Sequence, residues 1–188
     1  MRKLWWFAAL GTLLLVFGIG AVAIAGGGGK RNGGLKAHLS GYQEVPSVST
    51  AAQGRFKAKV NGSRIDYKLS YTGLEGPVRF AHIHFAQKGV NGGVVAFLCG
   101  GGGKPACPQS GEVTGTIVAA DVIALADQGI AAGEIDELIA AMRHGATYAN
   151  VHSDAFPNGE IRGQIRGKFR GDFGKRGNGF GKKNGDRD

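Results

Sequence analysis

The sequence predicts a mainly β protein, an antiparallel Greek-key-like sandwich or barrel with one or two short helices inserted before the last two strands. Three observations carry this reading. Between Leu35 and Gly167 lie seven or eight short runs in which apolar and polar residues alternate, the period of a half-buried strand. Turn residues punctuate these runs every eight to twelve positions. A late stretch, Ile135 to Met142, switches instead to helical period.

Taken in order, Leu35-Lys36-Ala37-His38-Leu39 alternates and opens the fold as a strand. Gly41 to Thr50 is irregular, and Pro46 keeps it out of a central strand because proline cannot donate to a ladder. Gly54–Val60 and Arg64–Tyr71 are two alternating runs with Asn61-Gly62 between them, a pair that accepts the positive φ of a tight hairpin turn. Lys57, Lys59 and Lys68 fall on the polar positions, so one face of this hairpin should meet water. Val78–Phe85 follows as a strand, then the loop Ala86–Gly93. Val94–Leu98 is nearly all apolar and suits a buried strand, and Gly111–Val118 gives another.

In the helical stretch Ile135, Leu138, Ile139 and Met142 share one face, Glu134, Asp136 and Glu137 crowd the first turn, and Arg143 and His144 the last. His144 is therefore read as a helix-end residue, and Asp121, Asp127 and Asp136 as caps or solvated positions. A shorter helix is expected over Val122–Ala126. Ala146–Ser153 and Glu160–Arg166 are the last two strands. In the second, Ile161, Gly163 and Ile165 share one face, and Glu160, Arg162, Gln164 and Arg166 share the other.

Both ends differ from this middle. Arg2 and Lys3 precede an uncharged, mostly apolar run of 22 residues from Leu4 to Ala25, and Ala23-Ile24-Ala25 supplies the small residues of a cleavage site. Residues 1–25 read as a signal peptide; uncleaved, the run is also long enough to anchor the chain in a bilayer about 30 Å thick. Both readings predict export, to the extracellular space or the cell surface. Residues 26–34 read as a glycine-rich linker, residues 35–167 as one folded domain, and residues 168–188 as a disordered, basic, glycine-rich tail.

The net charge of +9 divides unevenly. Arg2, Lys3, Lys30 and Arg31 carry +4, and the tail, with 7 basic and 3 acidic residues, another +4. The middle, with 12 basic and 11 acidic residues, is nearly neutral. This supplies no basic folded face for specific nucleic-acid recognition. The expected partner is an extracellular protein or polymer, and the tail either attracts anionic cell-surface polymers and lipid headgroups or simply keeps the chain solvated. Export also gives Cys99 and Cys107, the only cysteines, a meaning: a disulfide closing a small glycine-rich loop.

Residues able to carry chemistry concentrate in two distant segments. Three of the five histidines lie in Phe80-Ala81-His82-Ile83-His84 and Tyr148-Ala149-Asn150-Val151-His152. On a strand, His82 and His84 share a face about 6–7 Å apart along the chain. Two readings stand side by side. His82, His84 and His152 form a metal site, or they hydrogen-bond to Glu160, Asn150 or backbone carbonyls in a polar network that fixes strand register, to which Glu160 and Arg162 would add an ion pair. No nucleophile elbow, phosphate loop or dinucleotide fingerprint is present, so no catalytic residue is assigned.

Leu39-Ser40-Gly41-Tyr42-Gln43-Glu44-Val45-Pro46, Ala81-His82-Ile83-His84, Tyr148–His152 and Gly159-Glu160-Ile161-Arg162-Gly163-Gln164 together resemble the CHRD domain. That module is named for its repeats in the secreted antagonist chordin, and it also occurs singly in exported bacterial proteins. The resemblance spans Leu35 to Gly167 and implies a β-rich extracellular module without an established reaction or cofactor, hence a non-catalytic binding or cell-surface interaction module. A second similarity is to the histidine pattern of copper/zinc superoxide dismutases. It implies copper ligands at His82, His84 and His152, and Arg162 as a stand-in for an anion-guiding arginine. The chain departs from that pattern in having no bridging histidine or zinc-ligand set within Ala86–Gly111.

Overall fold

A computed structural model describes residues 34–167. The expected leader, the linker up to residue 33 and the tail lie outside the described residues. Nine strands and one α-helix make up the described chain. The strands are β1 (Leu35–Ser40), β2 (Gln53–Val60), β3 (Ile65–Thr72), β4 (Val78–Phe85) and β5 (Gly93–Cys99), then β6 (Gly111–Ile117), β7 (Thr147–Ser153), β8 (Ile161–Gln164) and β9 (Arg166–Gly167). The helix α1 (Ile135–Arg143) precedes β7. All pairings are antiparallel, in the order β5-β4-β7-β8-β1-β2-β3-β6, with β9 also on β1. The sheet curls into a nearly closed barrel, as the alternating pattern predicts.

Closure brings the ends of the sheet together. The Tyr67 hydroxyl on β3 donates to the Leu98 carbonyl on β5 at 2.6 Å, and the Tyr71 hydroxyl donates to that of Pro108, also at 2.6 Å. Cys99 and Cys107 are bonded to each other, with Cα atoms 5.1 Å apart, and hold the glycine loop against the end of β5. The inward face of each strand fills one core, with Phe56, Ile65, Leu69, Ile83, Leu98, Ile117 and Ile161 fully buried. Burial of each such side chain contributes about 1.5–3 kcal/mol. Gly163 allows β8 to approach β1, because a Cβ there would stand 2.2 Å from the His38 carbonyl oxygen.

Three local expectations need correction. The β2–β3 connection is a four-residue turn, Asn61–Arg64, closed by the Asn61 N–H on the Arg64 carbonyl at 2.9 Å. Gly62 does take positive φ, +61°, but within that longer loop. No helix forms over Val122–Ala126. Short 3-10 turns at Ala119–Asp121 and Ala126–Gln128 flank an extended Val122 whose side chain is needed in the core. The last strand breaks at Ile165, which donates its N–H to Thr147 on β7 at 2.9 Å. Helix α1 follows its sequence pattern: Ile135, Leu138, Ile139 and Met142 are buried, and Gly145 at φ +70° ends it.

Candidate metal centre

Alternation on β4 sends Ala81 and Ile83 into the core, each 0% exposed, and His82 and His84 to the opposite face. The β4–β7 register sets His82 against Asn150, His84 against Tyr148 and Phe80 against His152. His152 therefore lies diagonally from His82, close enough for their ring centres to stand 4.7 Å apart. The His82 and His84 rings are 5.3 Å apart and nearly perpendicular. One nitrogen from each of the three histidines lies within 4.8 Å of the others.

Their hydrogen bonds define which nitrogens are available. His84 Nδ1 lies 2.9 Å from the Gly92 carbonyl oxygen, and His152 Nδ1 lies 2.9 Å from that of Pro157. A carbonyl only accepts, so in both rings Nδ1 carries the proton and Nε2 keeps a lone pair. Both Nε2 atoms are buried without a hydrogen-bond partner, as is His82 Nδ1. An orphaned buried polar atom costs about 1–3 kcal/mol. Each of the three rings carries one such atom.

The rings are also held neutral. Burial pushes His82 down to about 3, with the neighbouring His152 and His84 adding repulsion. Burial pushes His84 down to about 4, against the hydrogen bond to Gly92. His152 is lowered for the same reason, against its bond to Pro157. Neutral imidazole is the metal-ligating form, and no carboxylate or thiolate joins the cluster among the described residues. Donors bound at about 2 Å around one ion stand roughly 3.3–3.5 Å apart, so ring rotations of order 1 Å would bring the three nitrogens to one point. The residues present fit a borderline-soft ion such as copper or zinc.

Aromatic rings wall the cluster. Phe97 meets His82 edge-on at 4.7 Å, and the half-exposed Phe80 stacks on it at 5.7 Å. Tyr148 lies parallel to His84 at 4.6 Å, and the Arg162 guanidinium covers the Tyr148 ring at 3.5 Å.

The residues assigned to a polar network are placed differently from expectation. Glu160 and Arg162 form no ion pair with each other, and neither is exposed, at 0% and 2%. The Glu160 carboxylate accepts from Ser153 Oγ at 2.5 Å, Thr50 Oγ1 at 2.8 Å and the Glu75 N–H at 2.9 Å. Arg162 donates to Val90 O at 2.5 Å and Asn91 Oδ1 at 2.9 Å, so its guanidinium holds a loop and is not offered to solvent as an anion guide. Asn150 donates to Glu44 Oε1 at 2.6 Å and to the Ile161 carbonyl at 3.3 Å.

Sequence reasoning missed Glu44 and Tyr148 as parts of this face, whereas Gln164 lies on it as its alternation with Arg162 predicts. Glu44 is buried beside Arg162, and desolvation pushes its carboxyl up to about 7, against the attraction of Arg162 and the Asn150 bond. Gln164 donates to Ala86 O at 2.9 Å and Gly145 O at 2.7 Å, pinning two loops at once. Tyr148 shares its face with Asn150 and His152 by the period of two, a signal that was available. Gly159 sits at φ +119° where a Cβ would stand 2.6 Å from the Asn150 amide, so only glycine lets the turn close over this face.

Comparison with protein families finds a match to the CHRD domain over residues 35–165. Neither the curated proteins nor the solved structures yielded a match. The match spans most of the chain, and the protein belongs to the CHRD domain family.

Proposed function

We propose that this CHRD-domain protein is a non-catalytic metal-binding module that holds one copper ion on His82, His84 and His152. The observation that supports this reading is a set of three buried, neutral imidazoles, each offering a nitrogen within 4.8 Å of the others and each carrying one buried nitrogen without a hydrogen-bond partner. A structural network would be expected to supply hydrogen-bond donors for those lone pairs. Copper is favoured over zinc because imidazole sites bind Cu²⁺ more tightly in the divalent series. Bound copper would supply one-electron exchange. The chain's own contribution is to keep three rings deprotonated, oriented by Gly92 and Pro157, and screened by Phe80, Phe97 and Tyr148.

The proposed setting is outside the cell or at its surface. The leader-like residues 1–25 support it, as does the Cys99–Cys107 bond, which suits an oxidising compartment. There the basic tail would add attraction to anionic polymers or lipid headgroups, weakened by salt.

Calorimetric titration of the full-length chain with Cu²⁺ at pH 7 tests the site. One ion per chain is expected, lost on replacing His82, His84 and His152 together by alanine. Absence of stoichiometric binding overturns the metal reading, and binding that survives the triple replacement overturns the assignment.

A further inference from the structure

The folded domain is nearly neutral as a whole, yet its cations are not evenly spread. At the C-terminal end of α1 a concavity of about 340 Å³ is lined by Lys88, Arg143, His144, Gly145, Gln164, Arg166 and Gly167. Three full positive charges surround it, and no carboxylate among the described residues lines it. Among the described residues Lys88, Arg143 and Arg166 take part in none of the salt bridges, whereas Arg64, Lys68, Arg79 and Lys104 are each matched with an acid. The acidic residues of α1, Asp136 and Glu137, sit in its first turn, about 10 Å away along a helix rising 1.5 Å per residue. The helix dipole opposes an anion at this end, but only by roughly half a charge, which three full cations outweigh.

These cations are brought together by the fold. Lys88 comes from the β4–β5 loop, Arg143 from the end of α1 and Arg166 from β9, three elements distant in sequence. Gln164 forms the floor and ties two of them together through its bonds to Ala86 O and Gly145 O. Both its amide hydrogens are used there, and its Oε1 is left buried without a partner. The volume is at the small end of ligand sites.

We propose that this concavity binds a phosphate group: Arg143, Arg166 and Lys88 would take the phosphoryl oxygens. Planar guanidinium groups suit tetrahedral oxyanions because they donate two parallel hydrogen bonds. The site is separate from the histidine cluster and does not depend on the metal reading.

The test is calorimetric titration of the full-length chain with glycerol phosphate and with inorganic phosphate, at low and high salt. Saturable 1:1 binding is expected for both, weakened about tenfold by Arg143→Gln and again by Arg166→Gln, the ratio for losing one charge-assisted contact. Both positions leave the core untouched, and unchanged melting curves would show the variants folded; Lys88→Gln in the loop gives an independent third reading. No saturable binding, or binding indifferent to all three replacements, overturns the site. Vesicles of phosphatidylcholine with phosphatidylglycerol locate the source. If their binding falls with the same variants, the lipid headgroup is the natural ligand; if it is indifferent while glycerol phosphate binding falls, a soluble or polymeric phosphate is.

Discussion

Two halves of the same sheet obey the same alternation and meet opposite fates. On the β2–β3 hairpin every second residue is buried and the others, Lys57, Lys59 and Lys68 among them, lie in water. On β7 and β8 every residue is buried, although the outward face there carries Tyr148, Asn150, His152, Arg162 and Gln164. The first arrangement costs nothing, because water solvates the polar face. The second requires each polar group to find a partner inside the protein. Loops from Ala86–Gly92, Gly41–Val48 and Phe156–Gly159 supply those partners almost everywhere. The partnerless nitrogens of the three histidines are the main exceptions, with Thr147 Oγ1 and Gln164 Oε1 the others. Each of the three imidazoles of the candidate metal centre is thus left with one such atom.

The sharpest way to break this comparison is to remove one buried acceptor. Glu160→Ala leaves the donors of Thr50, Ser153 and Glu75 without their carboxylate and is expected to cost about 3–5 kcal/mol in urea unfolding. Lys57→Ala on the exposed face should stay within about 0.5 kcal/mol. Equal effects would mean that the covered face is no different from the solvated one.

Acid provides the next largest contrast. The three histidines titrate lower in the folded than in the unfolded chain, so below about 6.5 the unfolded state binds more protons and stability falls as pH drops toward 4. Glu44 runs the other way: its carboxyl is raised to about 7, so it favours the fold at low pH and loses that contribution as pH rises from 4.5 through 7. The histidines outnumber it. For the metal-free protein the expected result is stability that levels off above about pH 7 and falls by a few kcal/mol by pH 4.5, at about 1.4 kcal/mol per proton per pH unit. Urea midpoints measured across pH check this, and replacing the three histidines by glutamine should flatten the acid limb. An unchanged limb would place the acid sensitivity elsewhere.

A smaller effect sharpens the role of the covering loops. Gln164→Leu removes two hydrogen bonds and should cost about 1–2 kcal/mol, with faster amide exchange around Ala86 and Gly145. Exchange confined to β8 would show that the glutamine does not pin the loops.

What the sequence disclosed follows from the range of the interactions. The hairpin, the helix and the shared face of His82 and His84 depend on neighbours two to four residues apart, and all were legible. That Glu160 and Arg162 share a face was legible too, yet pairing them was wrong. The carboxylate is held by Thr50, 110 residues away, and the guanidinium by Asn91, 71 residues away. Alternation reports which residues share a face, not whether a loop covers it. Net charge has the same blindness: a near-neutral domain average concealed three clustered cations beside α1.

The central claim is that the covered face exists to present three neutral imidazoles to one ion. Pulsed electron paramagnetic resonance on the full-length chain loaded with one equivalent of Cu²⁺ addresses it most directly, because the remote nitrogens of coordinated imidazoles modulate the copper signal. Three imidazoles are expected, falling to two in each of His82→Ala, His84→Ala and His152→Ala. A copper signal carrying no imidazole modulation, or one that all three replacements leave unchanged, would contradict the account.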